Sequence, residues 1–488
     1  MQIFRAALTG GLLVFLAAGT SLAQDQVEDS IVKVFATANP YNYSMPWQKL
    51  GQMNSTGSGV VVAGNRILTN AHVVEDYTYL EVKRANGPDK YRAEVEFVAH
   101  DCDLALLKVA DESFFRNTRA LPLGGDPQKR DRVRVYGFPA GGESLSVTEG
   151  VVSRIETSAY EHSGERLLTL QIDAAMNPGN SGGPVLNNDK LAGIAFQGIG
   201  SLQNTNFAIP VQIIRRFFAD IADGVYDGIP QDGLDVQPLG NRALREKHKM
   251  TGGQTGVLVY SMSPLMQARG IFKTGDVLLE VDGRKIGNDG MIELDDGTKV
   301  FCGHLLDIRQ KNATLRMTVL RDGRVMTKDV TLLHVAGQHA LVPRRSFDRQ
   351  PTYYINAGLV FVPLTGRYLE TFGGHKWKQY APENLVYYNE FGRMTGTRKQ
   401  IVVLSNILRD EVNTDYTMIN LIVSRVNNRN IADMRDLIRA FDANRDRYHT
   451  IEFEEGPVLV VDRLETEKRN KIVLERNSIP ADRSADLQ

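Results

Sequence analysis

The chain has 488 residues, 42% of them hydrophobic, and a formal net charge of -1. That is enough material for several cores, about three domains by length. The near-neutral balance, with no long basic tract, excludes nucleic acid as an electrostatic partner. The two cysteines, Cys102 and Cys302, stand far apart and are read as buried or semi-buried free thiols, with a disulfide as the alternative; no Cys/His cluster has metal-ligand spacing, so no metal or other cofactor is expected.

In chain order, Arg5 precedes an apolar, small-residue run from Ala6 to Thr20, and Ser21-Leu22-Ala23 places small residues before Gln24. Residues 1–23 therefore read as a cleaved secretory signal peptide, with an uncleaved anchor as the alternative. No second apolar run approaches spanning length. The mature protein is expected to be exported, to the periplasm in a Gram-negative cell, without an integral membrane span.

From Ile31 to Pro210 the pattern is short β-type runs broken by Gly, Asn and Asp: Val60–Val62, Arg66–Thr69, Tyr79–Lys83, Ala93–Val98, Arg132–Tyr136, Gly150–Ile155 and Leu168–Ile172. Such spacing predicts antiparallel barrels or a sandwich. The period then changes. Val211, Ile213, Ile214, Phe217, Phe218 and Ile221 form one helical face between Pro210 and Gly224, the exit from a domain spanning 24–224.

The remainder repeats itself. Gly256–Ser261 followed by Val277–Ile286 is matched by Gln400–Ser405 followed by Ile422–Ile431, with spacings that differ by one residue. Two diverged copies of one β-rich module are predicted, over 225–343 and 344–465, with a charged tail over 466–488. The second copy carries an aromatic and charged insertion between Pro363 and Lys399, including Tyr368, Phe372, Trp377, Tyr380, Tyr387, Tyr388 and Phe391. It reads either as subunit contacts or as local core.

Leu68-Thr69-Asn70-Ala71-His72, Asp101-Cys102-Asp103-Leu104-Ala105-Leu106-Leu107 and Asn177-Pro178-Gly179-Asn180-Ser181-Gly182-Gly183-Pro184 supply a histidine, an aspartate and a serine in that order. A serine hydroxyl needs a base to take its proton and a carboxylate to orient that base. Asp103, set among apolar residues, would be costly unless paired, and a histidine N–H is a natural partner. The order His–Asp–Ser is that of the chymotrypsin-type double barrel rather than of subtilisin or the α/β-hydrolases.

With these motifs the segment 30–222 resembles the protease domain of the Deg/HtrA serine proteases. Residues 256–286, with Gly275-Asp276-Val277-Leu278, resemble a PDZ domain of that family. Tyr43–Gln48, Asn356–Phe361 and Ile479–Leu487 resemble the plant-organelle branch, whose second PDZ is enlarged. The resemblance implies a mainly β fold: a chymotrypsin-like double β-barrel followed by two PDZ domains of α+β type. It implies Ser181 as nucleophile, His72 as general base and then acid, and Asp103 as the orienting carboxylate. Gly179, Asn180 and Ser181 would form the oxyanion loop. Ile194, Ala195, Phe196, Phe207 and Ala208 would line an apolar specificity pocket suited to small or medium aliphatic side chains, with filling of the barrel interior as the alternative.

The first PDZ presents Asp232-Gly233-Leu234 where the family captures a C-terminal carboxylate. The Asp232 charge would repel one, so capture and non-capture both stay open. The implied activity is ATP-independent endoproteolysis of unfolded or damaged proteins by a homo-oligomer, a trimer or hexamer. The alternative is a non-catalytic chaperone or scaffold that uses the same folds for binding.

Overall fold

The computed structural model describes residues 27–198, 205–335, 337, 340–344 and 346–488. The expected signal segment, 1–23, lies outside them. The first barrel consists of β1 (Ile31–Ala38), β2 (Met53–Val62), β3 (Arg66–Thr69), β4 (Tyr77–Arg84), β5 (Lys90–Ala99) and β6 (Leu104–Val109). It closes in the order β1-β2-β3-β6-β5-β4. The second is built from β7 (Arg132–Gly137), β8 (Ser146–Ala159), β9 (Arg166–Ile172), β10 (Pro184–Asn187), β11 (Lys190–Gly198) and β12 (Asn206–Pro210), closed as β10-β11-β12-β9-β8-β7. Closure removes the exposed strand edges that open sheets must otherwise protect.

The two barrels share an apolar seam. Val60, Leu68, Leu104 and Leu106 of the first belong to one buried cluster with Tyr136, Leu186, Ile194 and Ile209 of the second. The predicted helix forms as Val211–Asp220, and Ile213, Ile214 and Phe217 enter the same cluster. Gly224, at φ 93°, ends the 3-10 turn that follows it. Few other residues adopt that left-handed geometry without strain.

The modules after the barrels share one topology. In the first, strands Leu234–Pro238, Val257–Met262, Val277–Val281, Thr314–Arg321 and Arg324–Thr331 lie side by side in that order. In the second, Leu359–Pro363, Val402–Ile407, Leu421–Val426, Tyr448–Phe453 and Leu459–Asp462 do the same. The copies even agree at a left-handed turn. Gly275 (φ 98°) donates its N–H to Val259 O, and Asn420 (φ 62°) donates to the corresponding Leu404 O. Asparagine is among the few residues that substitute for glycine there.

Residues 466–488, expected as a charged tail, fold back on the second module. They continue the helix Arg463–Arg476, whose first turn is capped by Asp462. Arg469 grips the buried carboxylate of Asp410 through two hydrogen bonds of 2.7 and 2.8 Å. Downstream, the Ile355 N–H donates to Asp482 O and the Ser484 N–H to Tyr353 O. Within the insertion, Tyr368, Leu369 and Leu385 are buried, whereas Tyr380, Tyr387 and Phe391 are 65%, 58% and 68% exposed. One part is core and the other a protruding aromatic face.

Both modules touch the barrels. Arg216 of the exit helix donates to Arg309 O, and Gln310 Nε2 donates back to Arg216 O, fixing the first module. The Tyr43–Gln48 segment meets the lead-in to the second: Trp47 stacks edge-on against Tyr353 with ring centroids 5.9 Å apart, and the Tyr43 hydroxyl donates to Ser346 O.

Candidate active site

The Leu68–His72 motif builds its corner residue by residue. Leu68 is core, and the Thr69 hydroxyl donates to Ser58 O at 2.7 Å. The buried Asn70 amide donates to Asp103 O at 2.9 Å. The short helix Ala71–Val74 then carries His72 toward the seam. Asp103 sits at φ 54°, a left-handed conformation that aspartate tolerates better than most residues. The backbone is thus held so that the carboxylate receives His72 twice. The His72 main-chain N–H donates to Oδ1 at 2.9 Å, and Nδ1 lies 2.7 Å from Oδ2.

Asp103 is 1% exposed, while the His72 side chain keeps 31% of its surface open. Burial opposes charge on both groups. Against it, the His72 charge and hydrogen bond hold the Asp103 carboxyl below the usual carboxylate range, with His162 adding in the same sense. The reciprocal attraction of Asp103 outweighs the burial of His72 and raises the imidazole pKa above its ordinary value. The pair behaves as a positioned base that welcomes a proton.

Ser181 comes from the other barrel, in the connection from β9 to β10. The Ser58 N–H donates to Ser181 O at 2.8 Å, which ties this connection to β2. Ser181 Oγ donates to Phe196 O at 3.4 Å, a long and weak bond, and among the described residues it makes no hydrogen bond to His72.

Gly179 (φ 103°) and Gly182 (φ 84°) allow the tight loop. A Cβ at Gly179 would lie 2.3 Å from Phe138 O, and one at Gly182 2.1 Å from Ser58 O. Asn180 is buried and completes the turn through its N–H to Asn177 O and its carbonyl from Gly183 N–H. The Pro178 carbonyl accepts from Ala140 N–H at 2.6 Å. In a trans peptide the C=O and N–H point opposite ways, so the Gly179 N–H is aimed away from Ala140. Among the described residues neither the Gly179 nor the Ser181 N–H has an intramolecular acceptor. Two free, fixed donors beside a serine hydroxyl are suited to a developing oxyanion.

A trypsin-like peptidase domain family model matches residues 57–194, and a PDZ domain model matches 342–486. Putative protease Do-like 3, mitochondrial, of Arabidopsis thaliana is 35% identical over 472 residues, covering 96% of this chain and 82% of that protein. Protease Do-like 2, chloroplastic, of the same plant is 36% identical, covering 94% and 75%. The chain belongs to the Do-like (Deg/HtrA) family of serine proteases. The solved HtrA-type protease AlgW with decapeptide shares the fold, at TM-score 0.50 and 22% identity, covering 65% of this chain and 98% of that one.

Within this Do-like protease the other expected site residues fall in two places. Ile194, Ala195 and Phe196 on β11 and Phe207 and Ala208 on β12 are all buried, with Ala195 paired to Ala208 and Gln197 to Phe207. Asp232, Gly233 and Leu234 lie at the start of the first module's edge strand, Leu234–Pro238. There the Leu234 N–H is already taken by Asp232 Oδ1 at 3.0 Å, and burial pushes the Asp232 carboxyl up to about 6.

The motifs did not point to a second layer around His72. The buried His162 ring lies 6.1 Å from that of His72, and His100 Nδ1 is 2.9 Å from His162 Nε2. Phe347, from the lead-in to the second module, stacks on His100 at 4.0 Å. Asp348 Oδ2 lies 2.7 Å from His100 Nε2, and Arg367 pairs with Glu75 just past the His72 helix. The PDZ module therefore reaches the histidine side of the site. Only charged and aromatic residues scattered over hundreds of positions signal this, and no short motif does. Among the described residues no His/Cys/Asp/Glu group could hold a metal, and no helix is long and apolar enough to cross a membrane.

Proposed function

We propose that this serine protease uses Ser181, His72 and Asp103 as its catalytic triad. The reading is carried by the 2.7 Å His72–Asp103 contact at the barrel seam, across from the serine loop. Ser181 Oγ attacks the scissile carbonyl carbon and its proton passes to His72. Asp103 keeps the Nδ1–H tautomer and stabilises the imidazolium. The oxyanion of the tetrahedral intermediate takes the Gly179 and Ser181 N–H groups, with Asn180 shaping their loop. Collapse expels the amine, which leaves with the proton from His72. Water then repeats the sequence on the acyl-enzyme, and no nucleotide enters the balance.

Ile194, Ala195, Phe196, Phe207 and Ala208 form the walls of the specificity pocket, which favours small or medium aliphatic side chains before the cut. The substrate class is unfolded or damaged protein. A cleft that binds extended chain is served by unfolded polypeptide and denied by a folded domain. The enzyme works after export, as a homo-oligomer built from trimers. The exposed Tyr380, Tyr387 and Phe391 of the enlarged module are suited to contacts between subunits. The test is a cleavage-rate comparison without ATP on one protein in two forms, native and permanently unfolded by reduction and alkylation. At least tenfold faster cleavage of the unfolded form is expected; equal rates would reject quality control in favour of sequence-limited processing. Light scattering of the mature chain checks the subunit count.

The first module does not capture a free C-terminus at neutral pH, because Asp232 occupies the Leu234 donor and repels a carboxylate. Asp232→Leu, in a Ser181→Ala background that prevents digestion, is expected to tighten binding of a peptide with a free apolar C-terminus at least tenfold by fluorescence anisotropy. Amidation of the peptide should remove the gain. Tight binding to the unaltered loop that is lost on amidation would contradict this reading.

A further inference from the structure

Lys33 is the charged residue in the otherwise apolar run Ile31-Val32-Lys33-Val34 of β1, and it is 2% exposed. A buried ammonium costs several kcal/mol unless all its donors are met. Here all three are. Nζ donates to Gly141 O at 2.8 Å, to Gly142 O at 3.1 Å and to Glu143 Oε1 at 3.1 Å, and it lies 4.8 Å from the Phe35 ring centroid. All three acceptors belong to the β7–β8 connection of the other barrel, more than a hundred residues away.

That connection is the one whose Ala140 N–H holds the Pro178 carbonyl. It is an unfavourable turn left to itself, with Ala140 at φ 53° and Gly141 at φ 70°. Left-handed alanine is strained and persists only where the surroundings impose it. The carbonyls that Lys33 gathers follow directly after this strained residue. A second tie comes from Ser58, whose hydroxyl accepts the Phe138 N–H at 3.0 Å and donates to Gly179 O at 2.7 Å. Ser58 joins the two loops to each other. Lys33 anchors the turn to the first barrel.

We propose that Lys33 is a positioning residue of the oxyanion site. Its ammonium holds the Phe138–Glu143 turn in the shape from which Ala140 N–H orients the Pro178–Gly179 peptide, and so aims the Gly179 N–H at the developing charge. This rests on the reading of Ser181 as nucleophile and Gly179 as an oxyanion donor. Lys33 touches neither substrate nor Ser181 and acts only through the turn.

The experiment compares the full-length mature protein with Lys33→Met and with Lys83→Met. Lys83 shares Glu143 but makes no contact with the Gly141 or Gly142 carbonyls. Removing one oxyanion donor costs on the order of 10²–10³ in kcat, so a misaimed donor in Lys33→Met is expected to lower kcat on a chromogenic peptide by at least tenfold. KM should stay within twofold, because ground-state binding does not use the oxyanion site. The inhibition constant of a peptide boronate, whose tetrahedral adduct needs those donors, should rise by the factor that kcat/KM falls. Lys83→Met should match wild type within twofold.

Unchanged kcat and boronate affinity in a folded Lys33→Met protein overturns the proposal, as does a loss confined to KM. If Lys33→Met does not fold, Lys33→Val, matching the flanking Val32 and Val34, carries the same expectations. Fluorophosphonate labelling separates the two layers. Wild-type protein not labelled at Ser181 would sink the triad reading itself, whereas a labelled wild type with an equally fast Lys33→Met would sink only the role of Lys33.

Discussion

Ser181→Ala is expected to lower turnover on casein by about 10⁶-fold, the loss seen when the nucleophile of a triad is removed. The structure makes this a clean experiment. Among the described residues Ser181 Oγ is engaged only by the 3.4 Å contact to Phe196 O, so its deletion strands no well-bonded partner. The loop is held instead by backbone, through Ser58 N–H to Ser181 O and Gly182 N–H to Ala195 O. Stability should change by less than about 1 kcal/mol, the worth of one weak hydrogen bond. Tm, far-UV spectrum and particle size should match wild type. Casein digestion followed by gel and mass spectrometry decides the matter. Undiminished cleavage by a purified, contaminant-free Ser181→Ala protein would place the nucleophile elsewhere and revive the scaffold alternative.

The second large effect belongs to Asp103→Asn, with a fall of about 10⁴ in kcat. An amide holds the imidazole in the wrong tautomer and does not stabilise its cation. The pH profile should move as well, and the direction follows from the pair. The proposed mechanism needs neutral His72, whose pKa is raised by Asp103 against the opposing effect of burial. The acid limb of kcat/KM in wild type should therefore lie above about 6.5, the ordinary imidazole value, and move to lower pH in Asp103→Asn. A limb that stays in place would mean that some group other than this pair controls it.

Stability runs the other way. The raised His72 pKa contributes stability below its unfolded value of about 6.5, and that contribution is lost as pH rises through the folded value. The lowered Asp103 pKa contributes above about 3.9 and is lost as pH falls through the folded value. Both contributions are in place between about pH 4 and 6.5. The pair is held most firmly on the acid limb of the expected rate profile, which a Tm-against-pH series alongside that profile should show.

Much of the fold was legible because it rests on local pattern. The alternation in Tyr79–Lys83 and Ala93–Val98 places strands whatever their neighbours, and β4 and β5 extend these runs by a few residues where barrel pairing recruits them. The helix at Val211 was marked at both ends by Pro210 and Gly224. The module repeat was visible because both copies keep the same two strand runs at nearly the same separation. The docking of residues 466–488 was not legible. Arg469 and Asp410 stand 59 positions apart, and nothing local distinguishes a charge that pairs across a module from one that faces solvent.

Around the serine the division is similar. The residue types and their chain order are a property of the sequence, since His72, Asp103 and Ser181 each sit in a short string whose glycines, Asn70 and Thr69 have local work to do. The amino-acid order alone therefore determined which groups are available for chemistry, and that short antiparallel strands and a duplicated module would carry them. Tertiary structure decided the rest: that Asp103 receives both N–H groups of His72, that Lys33 crosses from one barrel to fix a turn of the other, and that Phe347 and Arg367 bring the second module to the histidine side. Those contacts join residues about 30 to 300 positions apart, and hydrogen bonds of 2.7–3.1 Å between such residues exist only once apolar burial has closed both barrels and set their seam.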